Sequence, residues 1–376
     1  MVNQVELTLD KILLSARKFG ASDVHLVSGL SPAMRINGDI RIVEGKPLDN
    51  MALKTIYDLL LNQPQKDSFD KDWQVCFSRK IEGIGRFRVS VYLHAGGPEF
   101  SIRLCESSIR SAPDLGLPDI MDELARLNDG LVLVTGPTGM GKTTTLNYLI
   151  NSINEQRRAK IITIEDPVEF EHRNLRSIVV QQELLGDVKS YQSALRHVLR
   201  QDPDVIVIGE MRDLDTMETA LIAAETGHLV IATLHTPDAI QTVQRIYSVF
   251  PAEQQNNITV QLANSLQAII AQKLLPKATD AGRVLACEVC VTTPAVRNHI
   301  REQQPHLIYS EMQMGRRHKM QTMDQTLLDF YQQGTISYDI AMIHAYDQEF
   351  IRHRVEKNAD GTIDPPSTTK KFAVKK

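Results

Sequence analysis

Apolar residues at the start of the chain recur with helical spacing. Leu9, Ile12, Leu13, Ala16 and Phe19 share one face of Val5–Phe19, and Gly20 supplies a stop signal. The period then changes. Ser22–Val27 and Ala33–Ile36 read as strands joined by the turn-prone stretch 28–32, and Asn37-Gly38 is a hairpin signal leading into Ile40–Val43. A helix follows over Asn50–Leu61, then strands at Trp73–Ser78, Gly85–Leu93 and Glu99–Leu104, with Arg79–Ile84 linking the first two. Within the middle strand, alternation puts Phe87, Val89 and Val91 on one side and Arg86, Arg88 and Ser90 on the other. These elements make a small α+β domain over residues 1–106. Pro113, Gly116 and Pro118 mark 107–118 as a linker.

Beyond the linker the pattern becomes short, continuous apolar runs of the kind that form strands buried on both faces: Leu131–Val134, Lys160–Ile164, Val205–Ile208 and Leu229–Leu234. Helical segments at Thr144–Ile153, Ser190–Leu199 and Leu214–Thr226 alternate with them, which predicts a doubly wound α/β core within 119–290. Further helices are expected at Ala252–Gln272, Pro294–Glu302, Thr322–Gln332 and Tyr338–Arg354, with a strand at Val284–Val291; the helices beyond 291 form a C-terminal helical segment, 291–356. The stretch 357–376, with Asp360-Gly361, Pro365-Pro366 and several lysines, reads as a disordered tail.

Chemistry concentrates where the runs end. Leu131–Val134 leads into Gly136-Pro137-Thr138-Gly139-Met140-Gly141-Lys142-Thr143-Thr144, a match to G-x-x-x-x-G-K-[ST] with a strand before it and a helix after it. Glycines let the backbone curl so that successive N–H groups face phosphate oxygens, and the helix N-terminus adds positive potential. Lys142 is then expected to reach the β/γ-phosphates and the Thr143 hydroxyl to meet Mg²⁺. Lys160–Ile164 ends at Glu165-Asp166-Pro167-Val168-Glu169, three carboxylates suited to Mg²⁺ or water activation. Val205–Ile208 ends at Gly209-Glu210, with glycine where many P-loop proteins carry aspartate, so Glu210 is the candidate Mg²⁺-holding carboxylate. Leu229–Leu234 ends at His235, a candidate γ-phosphate sensor, and His228 precedes the same strand.

Composition narrows the rest. A chain of 376 residues with 42% apolar and 23% charged residues is an ordinary multi-domain protein, and a net charge of −4 argues against a broad nucleic-acid-binding surface. Four cysteines point to a reducing compartment, and the Cys287-Glu288-Val289-Cys290 pair, alone in a strand, reads as packed thiols rather than a zinc site. The N-terminus has no signal-peptide pattern, and no apolar run approaches the ~18–20 residues of a membrane span. Cytoplasmic localisation is expected, with membrane association only through a partner.

Five stretches carry a resemblance: Gly20–Leu26 (GASDVHL), Gly136–Leu146 (GPTGMGKTTTL), Thr163–Phe170 (TIEDPVEF), Gln201–Asp213 (QDPDVIVIGEMRD) and Ala223–Thr236 (AAETGHLVIATLHT). Together they resemble the secretion-type hexameric ATPases, and within them the type IV pilus retraction ATPases, over Leu9 to about Ile351. The resemblance implies an α/β fold, a RecA-like P-loop ATPase core with a small PAS-like N-terminal α+β domain and C-terminal helices. It implies ATP and Mg²⁺ as ligands, Lys142 and Thr143 at the phosphate and metal positions, Glu169 activating water, Glu210 as the Walker B glutamate and His235 as the His-box residue. From residues alone, Arg88 and Arg103 could be a solvated strand face or charge clamps. The resemblance implies the second, arginines presented to nucleotide at a subunit boundary. It further implies a homo-hexamer at the cytoplasmic side of the inner membrane, acting on the pilus platform protein, with a paralogous retraction ATPase as a further partner. Ala295–Glu302 (AVRNHIRE) resembles a segment needed for retraction, with Val296 and His299 departing from it. An accessory retraction ATPase, or a pilus-extension or type II secretion ATPase, is the alternative. Extension and secretion members usually carry extra N-terminal domains and often a four-cysteine metal site, whereas this sequence opens on the short α+β domain and its cysteines do not form that set, so a retraction member is expected. A phosphotransferase would need an acceptor pocket, a nucleic-acid motor a basic, aromatic-interleaved surface, and a purely binding ring subunit would not need this set of carboxylates. No N-K-x-D guanine signature occurs, which favours ATP over GTP.

Overall fold

The computed structural model describes residues 2–279 and 282–355. The expected tail, 357–376, lies outside the described residues. The described residues divide into two compact units, one within 1–109 and 162–201, the other within 110–161 and from 202 onward. Thirteen strands among the described residues run in chain order as β1 (Asp23–Leu26), β2 (Ala33–Ile36), β3 (Asp39–Ile42), β4 (Gln74–Ile81), β5 (Gly85–His94), β6 (Gly97–Leu104), β7 (Gly130–Thr135), β8 (Lys160–Glu165), β9 (Ile178–Glu183), β10 (Val205–Ile208), β11 (Leu229–Leu234), β12 (Leu266–Pro276) and β13 (Arg283–Val291).

The first unit is built on an antiparallel sheet of order β3-β2-β1-β6-β5-β4. Period-two alternation decides its faces. Phe87, Val89 and Val91 of β5 are buried beside Phe77, Phe100 and Ile102, with Leu9, Leu13 and Ala16 of the first helix (Val2–Lys18) in the same core, whereas Arg86, Arg88 and Ser90 face the other side. Phe19, expected on the buried helical face, lies past the helix end and is 60% exposed. A helix at Gln63–Asp72 escapes hydrophobic periodicity because Phe69 is its one large apolar residue. Its ends carry the signal instead: Asn62 and Gln65 form a reciprocal capping box, and Pro64 lies in the first turn. The unit also holds β8 from Ile162 onward, and β9.

In the second unit the strand order is β13-β12-β7-β11-β10. β12, β7, β11 and β10 are mutually parallel and β13 is antiparallel to β12. The helices Lys142–Gln156 and Leu214–Glu225 pack on β7 and β11. Every residue of β7, β10 and β11 is buried, as the continuous apolar runs require.

Two expectations are corrected here. The single helix foreseen over 252–272 is a helix only for Ala252–Ser265, and Leu266 begins β12. The run Leu-Gln-Ala-Ile-Ile-Ala fits either element by periodicity, and the pairing offered by β7 on one side and β13 on the other decides it. The helix foreseen over 338–354 is two, Tyr338–His344 and Gln348–Arg352. Buried Asp324 breaks it by accepting the backbone N–H groups of Tyr346 (2.7 Å) and Asp347 (3.0 Å) as well as the Tyr309 hydroxyl (2.5 Å).

Cys76, Cys105, Cys287 and Cys290 are all free thiols, and Cys287 and Cys290 are buried on β13. Between them sits Glu288, also buried, whose carboxylate accepts the N–H groups that open two helices, Ala239 (2.8 Å) and Met323 (3.4 Å). Burial raises its pKa to about 7, the Ala239 N–H opposes the shift and Asp238 adds to it. A carboxyl held above its ordinary value of 4.5 contributes stability that is full below that value and declines as pH rises to about 7. Glu288→Gln should therefore flatten the dependence of melting temperature on pH between those limits, removing a slope worth at most about 3 kcal/mol. An unchanged slope would refute the assignment.

Candidate nucleotide site

Parallel strands bring their C-terminal ends to one edge, where open α/β sheets bind ligands. The adjacent strands β7, β11 and β10 end respectively in the Gly136–Thr143 loop, in His235 and in Gly209-Glu210. Three of the sequence candidates thus converge within the second unit.

The loop is shaped by glycine at two decisive points. Gly136 has φ +138° and lies against β12, so a Cβ there would stand 2.5 Å from the Gln272 carbonyl oxygen. Gly141, at φ +89°, caps the helix Lys142–Gln156 without a side-chain hydrogen bond, which leaves the first-turn N–H groups available to an anion. Pro137, Thr138 and Gly139 are exposed, Thr143 is exposed and Thr144 half-buried, while the Met140 sulfur accepts from Leu274 N–H at 3.1 Å. Lys142 is buried and donates to the Gly136 (2.6 Å) and Pro137 (3.1 Å) carbonyls. Burial lowers its pKa and Glu210 partly offsets this.

His235 ties the three strand ends together. Its Nε2 lies 2.9 Å from a Glu210 carboxylate oxygen, and its Nδ1 lies 3.3 Å from the Thr138 hydroxyl and 3.5 Å from the Lys142 ammonium. A carboxylate only accepts, so this network assigns the proton to Nε2 and leaves Nδ1 as acceptor. Glu210 also pairs with Arg212 at 2.8 Å. Burial alone would raise the Glu210 pKa, but Arg212 and His235 outweigh it and hold the carboxyl below its ordinary range. The backbone on either side of Glu210 is gripped by Thr233 of β11, whose hydroxyl donates to the Gly209 carbonyl and whose own carbonyl accepts Met211 N–H at 3.0 Å. His228 instead caps the preceding helix turn, with its Nδ1 3.1 Å from the Ala223 carbonyl, away from the strand tips.

Sequence reasoning missed two supports, Thr233 and Gln272. The Gln272 side chain donates to the Thr145 hydroxyl at 2.7 Å and its backbone backs Gly136. Recognising Gln272 required knowing that 266–276 is a strand.

The other candidates belong to the first unit. Arg88 reaches the Glu169 carboxylate at 2.9 Å and the Cys76 sulfur at 3.4 Å. Arg103 lies opposite Arg88 in the β5–β6 register, but its side chain pairs with Asp23 at 2.9 Å. Glu165, the first carboxylate of the acidic loop, is buried and accepts from Thr163 (2.6 Å) and Gln181 (3.0 Å), and burial raises its pKa. Those bonds give Glu165 a structural place, whereas Glu169 faces Arg88. Among the described residues no group of three His, Cys, Asp or Glu side chains could hold a metal.

Gly136→Ala should lower stability by about 2 kcal/mol or more, because the added methyl meets a backbone carbonyl at a disfavoured φ. Thermal unfolding and titration with fluorescent ADP should both register the change, and normal ADP affinity would show that the close approach to Gln272 does not shape the loop.

The family model described as "Type II/IV secretion system protein" matches residues 2–364. The chain is 40% identical over 335 residues to the type IV pilus retractation ATPase PilT of Pseudomonas aeruginosa, covering 89% of this chain and 97% of that one. It is 41% identical over 319 residues to the twitching motility protein of Neisseria gonorrhoeae, covering 85% of each. The crystal structure of the pilus retraction motor PilT with bound ADP is similar at a TM-score of 0.85 and 44% identity, covering 92% of this chain and 98% of the other. This chain thus belongs to the type II/IV secretion system protein family and, within it, to the type IV pilus retraction ATPases.

Proposed function

We propose that this chain is a Mg²⁺-dependent ATPase whose turnover drives type IV pilus retraction, the depolymerisation of pilin that powers twitching motility. The observation that carries the ATPase reading is the convergence of the Gly136–Thr143 loop, His235 and Glu210 on adjacent strand ends. Similarity to PilT, a protein titled as a pilus retraction motor with bound ADP, supports the retraction assignment.

Loop amides and Lys142 hold and neutralise the phosphates in this reading. One exposed hydroxyl, Thr143, and one half-buried carboxylate, Glu210, fit Mg²⁺, which keeps several waters and takes few protein ligands beside phosphate oxygens. Bound there, the ion would supply positive charge to the β and γ oxygens. Glu169 orients and activates the attacking water, His235 reports the state of the γ-phosphate to Thr138 and Glu210, and Arg88 and Arg103 stabilise developing charge. A homo-hexamer at the cytoplasmic side of the inner membrane, turning against a platform protein, would convert this cycle into work. Among the described residues no helix is long and apolar enough to cross a membrane, which suits attachment through such a partner.

Lys142→Ala should abolish phosphate release while leaving the melting temperature near wild type, and wild-type turnover in that variant would sink the ATPase reading. Glu169→Gln should slow steady-state turnover by about 10²–10⁴-fold, the usual contribution of a general base. In cells, deletion of the gene should leave excess surface pili that do not retract. Loss of pili instead would assign the chain to extension.

A further inference from the structure

On β5, Arg86 and Arg88 are two residues apart and so share a face, and both reach the segment that carries Glu169. They do so differently. Arg88 meets the Glu169 side chain, whereas Arg86 Nε donates to the Val168 carbonyl oxygen at 2.6 Å. That carbonyl belongs to the peptide unit leading into Glu169. The other backbone group of Val168, its N–H, donates to Glu183 Oε2 at 3.1 Å. Glu183 and Arg86 are themselves joined, with Arg86 Nη2 at 3.3 Å from the same carboxylate oxygen.

We infer that Arg86 and Glu183 act as a positioning clamp, holding both backbone groups of Val168 so that the Glu169 carboxylate is presented in one place. The inference rests on the reading of Glu169 as the water-activating carboxylate.

The clamp has the rigidity that such a role demands. Glu183, only 6% exposed, also accepts Ser78 N–H at 2.8 Å on Oε1 and the Ser78 hydroxyl on Oε2, so both of its oxygens are engaged. Arg86 donates to the same hydroxyl, closing a ring of Ser78, Arg86 and Glu183. The Arg86 backbone is fixed in turn, because its carbonyl accepts Cys105 N–H at 3.1 Å and Arg17 Nη2 at 3.2 Å. A buried carboxylate accepting four donors carries a large penalty for losing any of them, which keeps the Val168 peptide from drifting. Catalytic groups tolerate little drift, since a 1 Å misplacement can cost about 10²-fold in rate.

Glu183→Gln keeps the side-chain volume but places an amide N–H₂ where one oxygen accepted donors, so part of the ring must open. Arg86→Lys keeps the charge but loses the Nε–H that holds the Val168 carbonyl. In assembled full-length protein, each should lower the turnover number about tenfold or more while leaving affinity for fluorescent ADP and the KM for ATP unchanged. In single-turnover reactions on a Glu169→Gln background, neither should slow hydrolysis further, because the clamp acts only through that carboxylate. Should Glu183→Gln fail to fold, Arg86→Lys carries the same comparison. Wild-type turnover in both variants, or an equal fold-loss with and without Glu169, would overturn the clamp while leaving the Glu169 reading intact. Glu169→Gln turning over at the wild-type rate would overturn that reading itself, and the clamp with it.

Discussion

An anion held by backbone amides requires a loop whose N–H groups are not committed elsewhere, and the second unit is arranged to keep them so. Gly141 caps a fifteen-residue helix with no side chain of its own, so the first turn is not satisfied internally. Gly136 lets the loop leave β7 while pressed against the Gln272 carbonyl, an approach that any side chain would block. That contact exists because β12 lies parallel to β7, and β12 in turn is held by β13. The strand order beside the loop is part of the proposed phosphate site as much as the loop's own residues are.

Both units place an acidic side chain by the same means. Around Glu210, Thr233 bonds the backbone of the residues before and after it. Beside Glu169, Arg86 and Glu183 bond both backbone groups of Val168. In each case a neighbouring element fixes the main chain and leaves the carboxylate to meet a cation or a histidine, Arg212 and His235 at Glu210 and Arg88 at Glu169. Exposed ion pairs are weak constraints in water, so positions set through the backbone are the firmer ones.

The histidine between loop and carboxylate gives the second unit a polar connection across three strand ends. Because Glu210 can only accept, it sets the tautomer of His235, and the tautomer sets which His235 nitrogen can accept a hydrogen bond from Thr138 or Lys142. Lys142 meanwhile donates to loop carbonyls that phosphate oxygens would rival for it. The side chains proposed to recognise phosphate thus form a network among themselves, and a bound phosphate would have to enter that network.

What the sequence determined alone was local or periodic. The strand–loop–helix signature of the phosphate loop, the continuous runs of β7, β8, β10 and β11 and the alternation that separates Phe87 from Arg86 and Arg88 depend on neighbours within a few residues. Even the missed helix at Gln63–Asp72 was written locally, in Asn62, Pro64 and Gln65. Tertiary structure decided what depends on distant partners. Leu266–Pro276 is a strand because β7 and β13 offer it backbone bonds, and the helix after Tyr338 stops because Asp324, some twenty residues earlier, takes its N–H groups. The supports of the candidate residues, Gln272 and Thr233 in the second unit and Arg86 and Glu183 in the first, fall in this second class. They carry no motif because each acts on a residue far away in the chain: Thr233, Arg86 and Glu183 bond peptide groups and Gln272 bonds the Thr145 hydroxyl, contacts that no local spacing encodes.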